Sequence, residues 1–213
     1  VEVELHPKDE ALLELGDESD QDPPNVGAKV CIIADSLLVG LELDNAHIWA
    51  IPGAGVSVFR RLLTSVVVNV CLYDCLVIAL GSNDVVNYDD IEWVKSAFTG
   101  LCRSVHDQNH DIRIVLCSVL PRLRDDDIAK SRIVQLSRHF RSLAKAKDGL
   151  YVRTNLGFMR GRSVRRVLFS DGLDLSHIGL KLVKKNLVKA LMSNPLKEFV
   201  VGEQKFEPFY QWL

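Results

Sequence analysis

Four short polar fragments stand out because each follows a predicted strand or opens a predicted helix. Amide donors and a carboxamide can converge on a developing oxyanion, and a serine at a strand-to-helix turn lies where backbone amides gather. Each fragment alone is an ordinary turn or helix cap, whereas the ordered set is a strong signal for a functional site. In chain order the fragments are Ala34-Asp35-Ser36-Leu37, Pro52-Gly53-Ala54-Gly55, Gly81-Ser82-Asn83-Asp84 and Asp171-Gly172-Leu173-Asp174.

The elements that would position these residues alternate along the chain. Apolar, β-branched runs predict strands, and amphipathic segments between them predict helices. The strands are predicted at 29–34, 47–51, 74–80, 112–119 and 150–153, and the helices at 57–70, 89–107, 125–147 and 176–192. Near-continuous apolar strands separated by helices predict an α/β fold, a three-layer doubly wound sandwich with a central parallel sheet of about five strands. Ligands bind such sheets beyond the carboxyl ends of the strands, where the four fragments are expected to meet.

Composition and charge divide the chain of 213 residues into three parts. Hydrophobic residues make up 47% and charged residues 25%, which is typical of a globular protein. Residues 1–24 contain nine acidic residues and one lysine, which leaves 25 basic and 19 acidic residues, a formal +6, in the remainder. We therefore predict an acidic segment at 1–27, one domain at 28–195 and an aromatic tail at 196–213.

Several classes of protein are disfavoured by what the sequence contains. Its best apolar run, 76–80, is far shorter than the roughly 18 residues that span a bilayer, so no membrane partner is expected. The five cysteines are odd in number and lie mostly in apolar runs, which favours a reduced, intracellular and cytoplasmic protein without a bound metal or other cofactor. The chain begins at Val1 without a charged-then-apolar leader, and we expect a fragment or a processed chain.

The four fragments resemble the sequence blocks of the SGNH hydrolases, also called GDSL-type esterases and lipases, over residues 29–192. The resemblance implies a flavodoxin-like SGNH fold and an ester substrate. It also implies that Ser36 is the nucleophile and that Asp171 is the aspartate of the last block. The backbone of Ser36, Gly53 and the Asn83 side chain would form the oxyanion hole, with Gly55 as the alternative glycine. The first block departs from the family only in having alanine in place of glycine.

The last block departs from the family because it lacks the family's histidine at the expected position. The family pattern places histidine three residues after the aspartate and glycine five residues after the histidine. Asp171, Asp174 and Gly179 match that spacing, so Asp174 occupies the histidine position. A carboxylate, with a reference pKa of about 4, is a poor general base at neutral pH. We therefore expect weak or absent esterase activity and a role as a binding or assembly module.

An active enzyme is the alternative hypothesis. Asp174 and His177 also have the aspartate-to-histidine spacing of three, and Ser36 could then act with Asp174 or Asp171 and His177 as an ester hydrolase. That register would place Gly179 two residues after the histidine instead of five. It would also put His177 in the first turn of the last helix.

A basic segment suggests a second kind of partner. Between Arg122 and Arg166 there are 13 basic residues, and the loop 155–170 mixes phenylalanine with arginine, as nucleic-acid surfaces often do. The candidate RNA or DNA contacts are Arg153, Arg160, Arg162, Arg165 and Arg166. A solvated face that makes a few ion pairs is the other interpretation.

A looser resemblance points in the same direction. The segments 117–122 (CSVLPR) and 170–176 (SDGLDLS) are similar to the SGNH-type domains found beside reverse transcriptases and in other proteins of animal retroelements. This likeness leaves ester hydrolysis, nucleic-acid binding and assembly with other chains open. The sequence does not indicate an oligomeric state.

Overall fold

A five-stranded parallel sheet forms the centre of the molecule in the computed structural model, which describes residues 30–161 and 163–194. The strands are β1 (Val30–Ala34), β2 (Ala46–Ala50), β3 (Cys75–Ala79), β4 (Arg113–Cys117) and β5 (Leu150–Val152). The strand order is β2-β1-β3-β4-β5, and each neighbouring pair is parallel. The predicted three-layer α/β fold with about five parallel strands is confirmed.

Helices connect the strands, and acidic or hydroxyl side chains cap several of them. Asp90 accepts hydrogen bonds from two N–H groups at the start of the helix at 91–108. Asp126 accepts one at the start of the helix at 127–146, and Ser176 accepts one at the start of the helix at 177–193. These caps satisfy N–H groups that have no partner inside the helix. The helices are α1 (Val56–Thr64), α2 (Asp84–Asn87), α3 (Ile91–Gln108), α4 (Asp127–Ala146) and α5 (His177–Ser193).

Two apolar layers cover the two faces of the sheet because alternate strand residues face opposite sides. On one face, Phe59 of α1, Phe98 of α3 and Phe140 of α4 are buried with alternate residues of β1, β3 and β4. On the other face, Val183 and Leu187 of α5 pack with the remaining strand residues. The parallel strands are therefore buried on both sides, and their carboxyl ends are left to the connecting loops.

The structure differs from the sequence prediction in three local elements. The first predicted helix, 57–70, ends at Thr64, and Val66 has a positive φ of 61°. The run Val66–Val68 is β-branched and lowers helix propensity, so a turn and a short 3₁₀ segment (Val70–Leu72) replace the last helical turns. The helix α2 and a small antiparallel hairpin were not predicted; the hairpin consists of β6 (Met159–Arg160) and β7 (Ser163–Val164).

The remaining predictions on organisation concern the ends of the chain, the cysteines and membrane-spanning helices. The acidic segment 1–27 and the aromatic tail 196–213 lie outside the described residues, so the domain boundaries stay predictions. All five cysteines are free thiols, and four of them are buried. No helix in the described part of the chain has the length and apolar character needed to cross a bilayer.

Candidate functional site

Ser36 lies directly after β1, in a one-turn 3₁₀ helix that Asp35 caps. Asp35 Oδ1 accepts a hydrogen bond from Leu37 N at 3.1 Å, and its Oδ2 accepts one from Ser82 Oγ. Asp35 is only 2% exposed, and burial raises its pKa, although the hydrogen bonds from Ser82 and Leu37 and the charge of Arg122 act in the opposite direction. Ser36 itself is partly exposed, and its Oγ makes no hydrogen bond to another described residue.

The loop after β3 lies beside Ser36 because β1 and β3 are neighbouring parallel strands that end together. Gly81 has a φ of +118°, and a Cβ there would lie 2.9 Å from a methyl carbon of Leu136 and 3.0 Å from one of Val119. Only glycine fits this turn without a shift of its neighbours. Ser82 then donates its hydroxyl to Asp35 and ties this loop to the loop after β1.

Asn83 and Asp84 connect the same loop to the loop after β2. Asn83 Nδ2 donates to the Ala54 carbonyl at 3.1 Å, and the fully buried Asp84 accepts a hydrogen bond from Val56 N at 2.9 Å through Oδ1. A Cβ at Gly55 would lie 2.6 Å from that same oxygen, so the loop needs glycine there. Two hydrogen bonds and one close backbone approach thus fix the second and third fragments together.

The backbone donors expected from the sequence are not used in hydrogen bonds between described residues. Gly53 is exposed and adopts a left-handed φ of 75° in the turn that follows β2. The N–H groups of Gly53 and Ser36 donate no hydrogen bond to another group in the part of the chain that the structure describes. With the Asn83 carboxamide nearby, these are the kinds of donor that can stabilise a developing negative charge on oxygen.

Arg122, in the loop after β4, is a residue of this edge that the sequence analysis did not assign to the site. Its Nη1 donates to Asn83 Oδ1 at 3.3 Å, and its Nε pairs with Asp125 Oδ1 at 3.0 Å. The available signal was its position at the end of CSVLPR, directly after a strand at the sheet edge. From the sequence, Arg122 stood out only as one of many basic residues and as the end of the segment 117–122.

Asp171 and Asp174 lie in an exposed turn before α5. Asp171 Oδ1 accepts hydrogen bonds from Leu173 N at 2.8 Å and from Asp174 N at 2.9 Å. These bonds, from the N–H of Asp174 and then of Leu173, lower the pKa of Asp171. Arg124 Nη2 donates to the Asp171 carbonyl at 3.4 Å, which ties the turn to the loop after β4. The Asp171 carboxylate is therefore engaged with its own turn.

His177 is the first residue of α5, and its side chain is exposed. Ser176 caps the helix and donates to the Val167 carbonyl at 2.8 Å, while a Cβ at Gly179 would lie 2.2 Å from the Leu168 carbonyl oxygen. These contacts give Ser176 and Gly179 steric and capping roles. Within residues 30–161 and 163–194, neither Asp171 nor Asp174 makes a hydrogen bond or ion pair with a histidine.

The described arginines that follow β5 are exposed. Arg165 Nη1 donates to the Gly157 carbonyl at 3.1 Å, which helps to close the loop. None of these arginines forms an ion pair with a carboxylate of the described residues. Arg162 lies outside the described residues, and the others are Arg153, Arg160, Arg165 and Arg166.

The described residues contain no cluster of three or more His, Cys, Asp or Glu side chains arranged to hold a metal ion. A small cavity of about 10 Å³ lies behind Asp35, next to Ser82, Ser118 and Thr154. This volume is close to the minimum that holds one water molecule, so it is too small for an acyl group.

Solved structures show what this architecture resembles, whereas no protein-family model and no curated protein sequence matches the chain. A GDSL-like lipase from Bacteroides thetaiotaomicron superposes with a TM-score of 0.67 and 17% identity over 78% of this chain and 89% of that one. A lipase/acylhydrolase from Enterococcus faecalis gives 0.60 and 16% over 78% and 96%. An acetylxylan esterase from Geobacillus stearothermophilus, a catalytic mutant, gives 0.58 and 18% over 78% and 94%. The chain therefore shares the fold of the SGNH or GDSL-type lipases and acylhydrolases.

Proposed function

We propose that this chain is an SGNH-hydrolase-like domain with weak or absent ester-hydrolase activity that acts as a binding or assembly module. The observation that carries the proposal is the residue at the histidine position of the last block, Asp174. Asp174 stands at the position that the family gives to histidine, and its side chain is exposed. The carboxylate of Asp171, in the same turn, accepts hydrogen bonds from backbone N–H groups.

A serine hydroxyl needs a base within hydrogen-bond reach to become a good nucleophile. Ser36 Oγ makes no hydrogen bond to a described residue. His177 lies in the first turn of α5, and its imidazole makes no hydrogen bond to a described residue either. The free N–H groups of Ser36 and Gly53 and the Asn83 carboxamide favour retention of an oxyanion-binding site. Such a site can still bind an oxygen-rich ligand such as an ester, although it does not activate the nucleophile.

Hydrolysis of p-nitrophenyl acetate tests this proposal. We expect the purified chain to turn over the ester no faster than its Ser36→Ala variant. In the Asp174→His variant an imidazole would stand at the family position, and we expect Ser36-dependent turnover well above the starting protein. Robust hydrolysis by the unmodified chain, abolished by His177→Ala, would contradict the proposal and establish the alternative enzyme with His177 as base.

We propose nucleic acid as the partner of a second, separate surface. The observation that favours it is the group of exposed arginines that follow β5, which have no carboxylate partner among the described residues. Unpaired guanidinium groups bind phosphates without first breaking an internal ion pair. The retroelement-associated subtype of SGNH domain, suggested by the segments 117–122 and 170–176, belongs to the same proposal.

Fluorescence anisotropy with a labelled single-stranded RNA tests the second surface. We expect binding at low salt that weakens steeply as salt is raised, because phosphate contacts release counterions. Replacing Arg165 and Arg166 by alanine should weaken binding. The matched control is Lys181→Ala/Lys185→Ala, which removes the same charge from the exposed side of α5. Equal affinity of the two double variants, or no binding at low salt, would remove this proposal.

A further inference from the structure

We propose that Arg122 is a positioning residue that holds the Asn83 carboxamide in the orientation needed to donate to a bound oxygen. This inference rests on the proposed function because it concerns the same oxyanion-type site. Arg122 Nη1 lies 3.3 Å from Asn83 Oδ1, and Asn83 Nδ2 lies 3.1 Å from the Ala54 carbonyl oxygen.

These two contacts define which way the carboxamide points. A guanidinium group only donates hydrogen bonds, and a carbonyl oxygen only accepts them. The oxygen of Asn83 must therefore face Arg122, and the nitrogen must face Ala54. The reversed amide would place two donors together on one side and two acceptors on the other. Ala54 uses one of the two N–H bonds on Nδ2, and the second has no acceptor within the described residues.

Arg122 is itself held in place, so it can act as a fixed support. Its Nε pairs with Asp125 Oδ1 at 3.0 Å, and its backbone N–H donates to Asp125 Oδ2 at 2.6 Å. The two side chains are 12% and 2% exposed. A guanidinium that a carboxylate already holds loses little further conformational freedom when it bonds to a second group, whereas a lysine ammonium lacks this planar fork.

The charge of Arg122 also affects the donor strength of the carboxamide. A hydrogen bond from a cation polarises the amide toward its oxygen, and the N–H bonds become better donors. Arg122 would therefore serve a ligand that it does not itself touch. It differs in this respect from Arg124, which bonds to the Asp171 carbonyl and makes no hydrogen bond to Asn83.

Nuclear magnetic resonance of the Asn83 side-chain NH₂ group tests the inference without any need for turnover. The signal is assigned by its loss in Asn83→Asp, and exchange with solvent is measured in the unmodified chain and in Arg122→Met, Arg122→Lys and Arg124→Met. We expect Arg122→Met to shift both proton signals toward those of free asparagine and to speed exchange about tenfold, as for the loss of one charge-assisted hydrogen bond. The proton shifts and exchange rate in Arg122→Lys should lie between those of the unmodified chain and those of Arg122→Met. Those in Arg124→Met should match the unmodified chain.

An unchanged Asn83 signal in folded Arg122→Met would overturn the inference, as would an equal change in Arg124→Met. If Arg122→Met does not fold, Arg122→Lys decides: unmodified shifts and exchange overturn the inference, and intermediate values support it. The test is independent of the proposed function because esterase activity in the unmodified chain would contradict that function and leave this result standing.

Discussion

Two regions at the carboxyl edge of the sheet differ in how their polar groups are held. The linked loops, which we define as residues 35–38, 52–55, 81–84 and 118–126, follow the first four strands of the sheet. The terminal turn, residues 170–177, precedes α5. In the linked loops hydrogen bonds run between segments that are far apart in sequence, whereas most of those in the terminal turn join residues a few positions apart.

The burial of the carboxylates shows the same difference. Asp35 and Asp84 of the linked loops are almost fully buried, and each accepts a hydrogen bond from a backbone N–H. Asp171 and Asp174 of the terminal turn are exposed. A buried polar group without a partner is costly, so the linked loops depend on their side chains for structure. The exposed carboxylates of the terminal turn are therefore expected to tolerate substitution better than Asp35 and Asp84.

The largest expected effect separates a buried carboxylate from an exposed one. Asp84→Ala leaves the Val56 N–H without its partner inside the protein, and we expect a loss of about 3 kcal/mol in the free energy of unfolding. The matched variant Asp171→Ala should lower the urea midpoint much less, because that carboxylate is exposed and the N–H groups it releases can bond to water. Urea unfolding followed by circular dichroism measures both. Equal losses in the two variants would show that the two regions do not differ.

A smaller effect tests whether the terminal turn is stabilised by its Ser176 hydroxyl and not by the Asp174 carboxylate. Ser176→Ala removes the cap of α5 and the hydroxyl that donates to the Val167 carbonyl, and we expect a loss of about 1 kcal/mol. Asp174→Ala, two positions earlier, is the control and should unfold at the same urea concentration as the unmodified chain. A loss in Asp174→Ala as large as that in Ser176→Ala would give Asp174 a structural role and weaken our interpretation of it as a replaced base.

The smallest expected effect is a difference in pH dependence between Asp35 and Asp171. Burial raises the pKa of Asp35 in the folded protein, so its ionisation opposes folding, and stability falls as pH rises from the unfolded value of about 4 through the raised one. The pKa of Asp171 is lowered, so its contribution is present above about pH 4 and is lost as pH falls. Urea midpoints of Asp35→Asn and Asp171→Asn, each measured from pH 3 to pH 8 beside the unmodified chain, would show the two opposite slopes. The same slope for both would contradict the assigned shifts.

The sequence by itself determined the sheet and the order of its elements. The strands form from short, nearly continuous apolar runs, and the amphipathic segment predicted at 176–192 forms α5, whose Val183 and Leu187 pack on the sheet. Such periodicity is a local property that is visible without any contact. The positions of Ser36 and Asn83 beyond neighbouring strands followed from the same alternation, because parallel strands end at one edge.

The tertiary structure alone decided which side chains join the loops. Sequence gave no reason to connect Asp84 with Val56 or Arg122 with Asn83, since each pair meets only after the strands have assembled. The end of the first helix at Thr64 is different, because the β-branched run 66–68 was a local signal against the helical continuation. The absence of a hydrogen bond between Ser36 Oγ and any described imidazole is also decided by the tertiary structure. The spacing of Asp174 and His177 permits a dyad in the sequence, whereas the start of α5 leaves His177 exposed and unpaired within the described residues, because the Ser176 cap fixes where that helix begins.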